Sequence, residues 1–152
     1  MSKVSSALER CTEETKSRRI TVKANGRAAT FLNPEKATIK RVDVDCWLTS
    51  VSGQRSDYLL LKPGTVDVII ELKGKDVEHA LEQILATLTH WKAAKKCSPR
   101  FGGLVVFTRS PMRSATLDNL KLKLLNNHQI WIEMGKSGLK EYEFATFTGT
   151  KR

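Results

Sequence analysis

The stretch Ser56-Asp-Tyr-Leu-Leu-Leu-Lys-Pro-Gly-Thr-Val-Asp-Val-Ile-Ile-Glu-Leu-Lys73 constrains the fold more than any other part of the chain. Two apolar runs, Tyr58–Leu61 and Val66–Ile70, are separated by Pro63-Gly64, a turn pair. Runs apolar nearly throughout are those of strands buried on both faces. Glu71 and Lys73 close the second run two residues apart, so strand periodicity points both side chains to one face. Asp57 opens the first run, and antiparallel pairing would bring it close to Glu71. Carboxylates at the edge of a buried sheet are costly to desolvate unless something pairs them. A divalent metal ion would do so. The simpler alternative is a buried Glu71–Lys73 ion pair with Asp57 as a turn residue, although such pairs often add little net stability.

The rest of the chain supplies helices and further strands. Val4, Ala7, Leu8 and Cys11 recur at helical spacing and predict a helix over residues 4–17. Asn25-Gly26 between two strand-like runs is a type I′ hairpin signal. A strand is expected over residues 38–48, with Val42, Val44 and Cys46 on one face and Asp43, Asp45 and Trp47 on the other. Gly74 precedes a long helix over about 76–95, and Phe101–Thr108 reads as another buried strand. Ser114 or Thr116 can cap a short helix holding Leu117, Leu120 and Leu124. Residues 129–134 and 139–147 are expected to pair as a final hairpin. With 152 residues and no repeat or linker, this is one α/β domain, a mixed β-sheet flanked by helices.

Composition bears on partners. Lysine and arginine number 26 against 16 acidic residues, a net charge of +10. Such a surplus favours nucleic acid or an anionic membrane surface, or is simply a basic, non-binding exterior. No apolar run reaches the roughly 18 residues of a membrane span, and Met1–Ser6 lacks a signal-peptide apolar region. Cys11, Cys46 and Cys97 are scattered and form no Cys-x-x-Cys pair. They read as three reduced thiols of a soluble cytoplasmic protein, with Cys46 in the core.

On the long helix, Val77, Ala80, Leu81, Ile84, Leu88 and Trp91 form the stripe that should pack on the sheet. His79, Gln83 and His90 lie on one flank. Because the helix starts just after Lys73, Gln83 can border the proposed site and touch a phosphate or an attacking water; as half-exposed helix residues, all three need no such role. Lys92, Lys95, Lys96 and Arg100 cluster at the far end of the helix, where cations complement its dipole. Together with Arg18 and Arg19 they are the candidate nucleic-acid contacts.

Asp57, followed fourteen positions later by Glu71-Leu72-Lys73-Gly74 at the end of an apolar strand and then by a helix, resembles the PD-(D/E)XK nuclease superfamily, the restriction-endonuclease-like fold. The resemblance spans about Thr38 to Thr108, and Ser56 stands where that family often has proline. It implies an α-β-β-β-α-β core, here with extra hairpins, and hydrolysis of phosphodiester bonds, DNA before RNA. Asp57, Glu71 and the main-chain carbonyl of Leu72 would hold Mg²⁺ or Mn²⁺, a hard ion that prefers oxygen ligands. Lys73 would stabilise the pentavalent phosphate or act on the water. Asp43 and Asp45 compete with Asp57 as ligands. Among Glu9, Glu13 and Glu14 the residues do not select a first-helix carboxylate for the site. The expected partner is nucleic acid, bound by a monomer, a homodimer or a member of a larger assembly, and no membrane. The rivals are a nucleic-acid-binding module with a disabled centre and a basic protein–protein adaptor.

Overall fold

Strands β5 (Tyr58–Lys62) and β6 (Val66–Glu71) pair antiparallel, with Tyr58 opposite Ile70 and Lys62 opposite Val66. The Thr65 N–H donates to the Lys62 carbonyl, and Gly64 takes φ 78°, the left-handed region glycine enters without steric cost. A computed structural model of the chain describes residues 3–72, 76–94, 96–107, 115–137 and 141–148. Around the central pair the order is α1 (Lys3–Arg10), β1 (Thr12–Thr15), β2 (Arg19–Ala24), β3 (Arg27–Leu32), β4 (Ile39–Asp43) and α2 (Val44–Trp47) before it. After it come α3 (Val77–Ala93), β7 (Phe101–Phe107), α4 (Ala115–His128), β8 (Ile130–Lys136), β9 (Glu141–Glu143) and a 3-10 helix, Phe144–Thr148. Ser114, one of the two expected caps of α4, lies outside the described residues.

The main sheet has the order β1-β4-β5-β6-β7-β8, antiparallel up to β6 and parallel from β6 to β8. A second sheet, β2-β3-β9, packs on one of its faces, with Ile20, Val22, Ala29 and Phe31 in one buried cluster with Val68, Ile70 and Leu104. This explains why all six residues of β6 are buried. Ile69 packs with Ile84, Leu88 and Trp91 of α3 on one side. Val66, Val68, Ile70 and Leu72 meet Phe31, Tyr142 and Phe147 on the other. Strand periodicity therefore puts Asp67 and Glu71 on the α3 side with Ile69. The expected stripe on α3 is the buried one, with Thr87 added to it.

Close approach in the second core restricts β7. A Cβ on Gly102 would stand 2.5 Å from the Cβ of Phe147, whose side chain is fully buried in the 3-10 helix. Gly102→Ala should cost about 1–3 kcal/mol by overpacking, read as a lowered Tm.

The α/β domain with a mixed sheet flanked by helices is as expected, but four local expectations are corrected. The first helix ends at Arg10 and the chain turns into β1, because Glu13, Glu14 and Thr15 pair with Arg41, Lys40 and Ile39. The strand expected to run to residue 48 stops at Asp43, whose carboxylate accepts the Cys46 N–H and caps α2, so Trp47 turns into the core. The last segment is not a hairpin: β9 leaves the main sheet and pairs parallel with β3. Finally, Cys11 and Cys46 are joined as a disulfide across 35 residues rather than reduced, and Cys46 is exposed rather than in the core. Spacing could not reveal this pair because β4 brings its two halves together. A bridge closing a loop of this length restricts the unfolded chain by about 3–4 kcal/mol. Reduction, or Cys46→Ser, should therefore lower Tm by several degrees in calorimetry. No described helix is long and apolar enough to cross a membrane.

Candidate metal centre at the ends of the central strands

β6, β7 and β8 run parallel and finish at one end of the sheet, the end at which β5 begins. Open α/β sheets take ligands outside the carboxyl ends of such strands. The N-terminus of α3 lies in the same region, directly after the central strand, with the Asp76 carboxylate accepting the His79 N–H.

Asp57 sits one residue before the first paired position of β5. Its N–H donates to the Ile70 carbonyl at 3.0 Å, and its Oδ2 accepts the Leu72 N–H at 2.7 Å. The carboxylate is thus held within one peptide unit of Glu71. Asp57 is half-buried, whereas Glu71 is 1% exposed. Antiparallel register thus puts Asp57 and Glu71 at the same end of the two central strands. Leu72 buries its side chain in the second core. Lys73 and Gly74 lie outside the described residues.

The segment leading into Asp57 is tied down from both sides. The Val44 N–H at the start of α2 donates to the Asp57 carbonyl at 3.1 Å. The Ser56 N–H donates to Thr87 Oγ1 of α3 at 2.7 Å, and that hydroxyl donates to the Gln83 carbonyl. Gln83 Nε2 donates to the Arg55 carbonyl at 3.2 Å, two residues before Asp57. The Gln83 amide is thus engaged in holding the segment that leads into Asp57. Arg55 pairs with Asp45 at 2.9 Å and donates to the Leu48 and Val51 carbonyls, which orders the preceding loop. Asp43 and Asp45, the spare carboxylates, cap α2 and anchor Arg55. His79 faces Glu82 at 3.6 Å, and both are exposed. Tyr58 follows Asp57 in the chain; burial first, then the charge of Asp43, raises the pKa of its hydroxyl, and Asp57 adds to the effect.

Of the first-helix carboxylates, Glu13 pairs with Arg41 and shares a cavity with Asp43 and Tyr58, next to Asp57 in the chain. Glu13 and Glu14 belong to β1, and Glu9 and Glu14 line a cleft of about 370 Å³ that also contains Lys40, Asp67, Lys96 and Cys97. Among the described residues, no group of three or more His, Cys, Asp and Glu side chains gathers as a metal cage. The set implied by the resemblance is smaller, two carboxylates and a main-chain carbonyl.

The nominated basic residues are not beside Asp57. Lys92, Lys96 and Arg100 flank the opposite end of the sheet, where the Arg100 carbonyl accepts the Asp67 N–H. Lys92 lies over the Phe101 ring, and Arg100 donates to the Thr148 carbonyl. Arg18 and Arg19 stand at the start of β2, at that same far end; Arg19 pairs with Glu141, and the Arg18 carbonyl accepts the Asn33 N–H. Lys95 lies outside the described residues.

Asp67, too distant along β6 to partner Glu71, has a role of its own that sequence reasoning missed. It is 1% exposed, accepts Trp91 Nε1–H at 2.8 Å and the Ser98 N–H at 2.7 Å through Oδ2, and accepts the Ser98 hydroxyl through Oδ1. A charged residue inside an otherwise apolar strand was the available signal, since burial demands such partners.

No protein-family model, no curated protein and no solved structure matches the chain.

Proposed function

We propose that the protein is a metal-dependent nuclease that hydrolyses phosphodiester bonds in nucleic acid, DNA rather than RNA. The observation that carries this reading is the Asp57 carboxylate fixed on the Leu72 N–H, one peptide unit from the buried Glu71, at the end where three parallel strands finish.

Those groups suit a hard divalent ion. Both are oxygen donors, one half-exposed and one buried, and burial of a carboxylate is compensated by cations or donors close to it. Mg²⁺ or Mn²⁺ held by Asp57, Glu71 and the Leu72 carbonyl would supply charge neutralisation at phosphorus and an acidified water. The chain's own residues do the positioning. Thr87 and Gln83 hold the Ser56 N–H and Arg55 carbonyl, so Asp57 enters the site from a fixed direction. Lys73, next but one after Glu71, is assigned to stabilising charge on the phosphate, a role that needs no shift of its pKa. Gln83 serves as a positioning residue.

The test is a digestion panel with Mn²⁺ over single-stranded, duplex, branched and RNA substrates. Metal-dependent scission of the DNA substrates is expected. Salt-sensitive binding without scission under any metal would replace this reading with that of a non-cleaving nucleic-acid-binding module.

A further inference from the structure

We propose that the β2–β3 hairpin is the arm that grips the nucleic-acid backbone at the Asp57–Glu71 end, through Lys23 and Arg27 together with Lys136 at the end of β8. This rests on the reading of that end as a nucleic-acid site.

The hairpin tip lies across the end of the main sheet on the side of the second sheet. Tyr58 Oη donates to the Lys23 carbonyl at 3.0 Å, one residue from Asp57. On the other side of the tip the Ala28 N–H donates to Ser137 Oγ at 3.0 Å, and the Ser137 N–H donates to the Phe107 carbonyl at the end of β7. The hairpin thus reaches from the start of β5 to the end of β8. At a strand spacing of about 4.8 Å that is roughly 14 Å, along the edge where Asp57 and Glu71 sit.

The arm is also preorganised. Asn25 and Gly26 take φ 55° and 72°, the left-handed values of a type I′ turn. Thr21 and Thr30 hydroxyls bond across the pair at 2.8 Å, and Arg41 donates to the Thr21 carbonyl. Arg41 and Tyr58 thereby close the open edge of β2.

Charge decides what the arm meets. Four of the described lysines and arginines are matched: Arg19 with Glu141, Arg41 with Glu13, Arg55 with Asp45 and Lys62 with Glu35. Lys23, Arg27 and Lys136 are in no ion pair among the described residues. Ile20 and Val22 face the core, so Lys23 projects from the outer face, and it and Lys136 are exposed. Arg27 is half-buried at the tip, on the face of Ala29 rather than that of Lys23, and donates one bond to the Asn25 carbonyl. Unmatched guanidinium donors suit phosphate oxygens. The cavity of about 250 Å³ under the hairpin carries Glu13 and Asp43 as well as Lys23 and Arg41, a balanced lining. A polyanion is therefore met at the hairpin tip, where Lys23 and Lys136 are exposed.

The test is binding of a DNA duplex of about 20 base pairs in EDTA, across about 50–200 mM salt, by fluorescence anisotropy. Replacing Lys23, Arg27 and Lys136 together by glutamine should weaken binding at least about tenfold and reduce the salt slope by about 2–3, near 0.9 for each phosphate no longer neutralised. A second variant carrying Lys92→Gln, Lys96→Gln and Arg100→Gln should stay within about twofold of wild type. Equal losses in both variants, a loss confined to the second, or no duplex binding by the wild type would overturn the proposal. Thermal denaturation verifies that each variant is folded, and Lys23→Gln alone, which leaves the Lys23 carbonyl on Tyr58 intact, should retain part of the effect. Hairpin-dependent binding with no scission under Mn²⁺ keeps this inference and sinks the catalytic one. Scission at unchanged KM in the hairpin variant does the reverse.

Discussion

Glu71→Gln should abolish Mg²⁺- and Mn²⁺-dependent cleavage, a loss of at least about 10²–10³-fold, while the chain stays folded. The substitution removes one charge and keeps the volume of a side chain that is 1% exposed between α3 and the sheet. A purely structural Glu71 would produce a change in Tm and little else. Asp57→Asn is the matched experiment. Its amide oxygen can still accept the Leu72 N–H, so the 2.7 Å contact that locks the segment survives while the anionic ligand is removed. Both variants should therefore lose turnover at near-native stability, checked by plasmid nicking assays beside calorimetry. Full activity in either would remove the basis for a carboxylate-held ion.

The largest stability effect is expected far from the site, at Asp67. Asp67→Ala leaves three donors without their acceptor: the Trp91 indole N–H, the Ser98 N–H and the Ser98 hydroxyl. Unmet buried donors cost about 1–3 kcal/mol each, less where water enters, so a total of about 3–5 kcal/mol is expected. In a domain of this size that lowers Tm by roughly 10 °C. The same residue has a pH signature. Burial raises the Asp67 pKa above its ordinary 3.8, outweighing the Ser98 hydroxyl and N–H and the Trp91 indole, which lower it. The native state then takes up this proton before the unfolded state as pH falls. Ionisation of Asp67 opposes folding from the ordinary value up to the raised one, and fully above it. The Tm advantage of wild type over Asp67→Asn should therefore shrink as pH rises from about 3.5 to 7.

What was legible in the sequence was whatever depends on local pattern. The Pro63-Gly64 turn between two apolar runs marks β5 and β6, the Asn25-Gly26 pair marks the hairpin, and the stripe from Ala80 to Trp91 marks the buried face of α3. Glu71 at the end of an apolar strand and Asp57 at the start of its neighbour can be matched because an antiparallel turn fixes register. Features made by distant segments were not legible. Cys11 and Cys46 meet only because β1 pairs with β4. β9 is drawn off to β3 by its buried Tyr142, which packs against Phe31, and no period within three residues announces that choice. Lys92, Lys96 and Arg100 cluster in sequence at the end of α3, and the fold carries that helix end away from Asp57. The alternation from Val42 to Trp47 has the period of a strand, but the Asp43 carboxylate captures the Cys46 N–H and starts a helix instead.

The central claim is that Asp57 and Glu71 jointly bind one divalent ion, and Mn²⁺ titration by calorimetry tests it without any assumption about substrate. The account predicts saturable binding of one Mn²⁺ per wild-type chain, weakened at least about tenfold in Asp57→Asn and in Glu71→Gln. Identical isotherms for all three proteins, or no binding by the wild type, would contradict it.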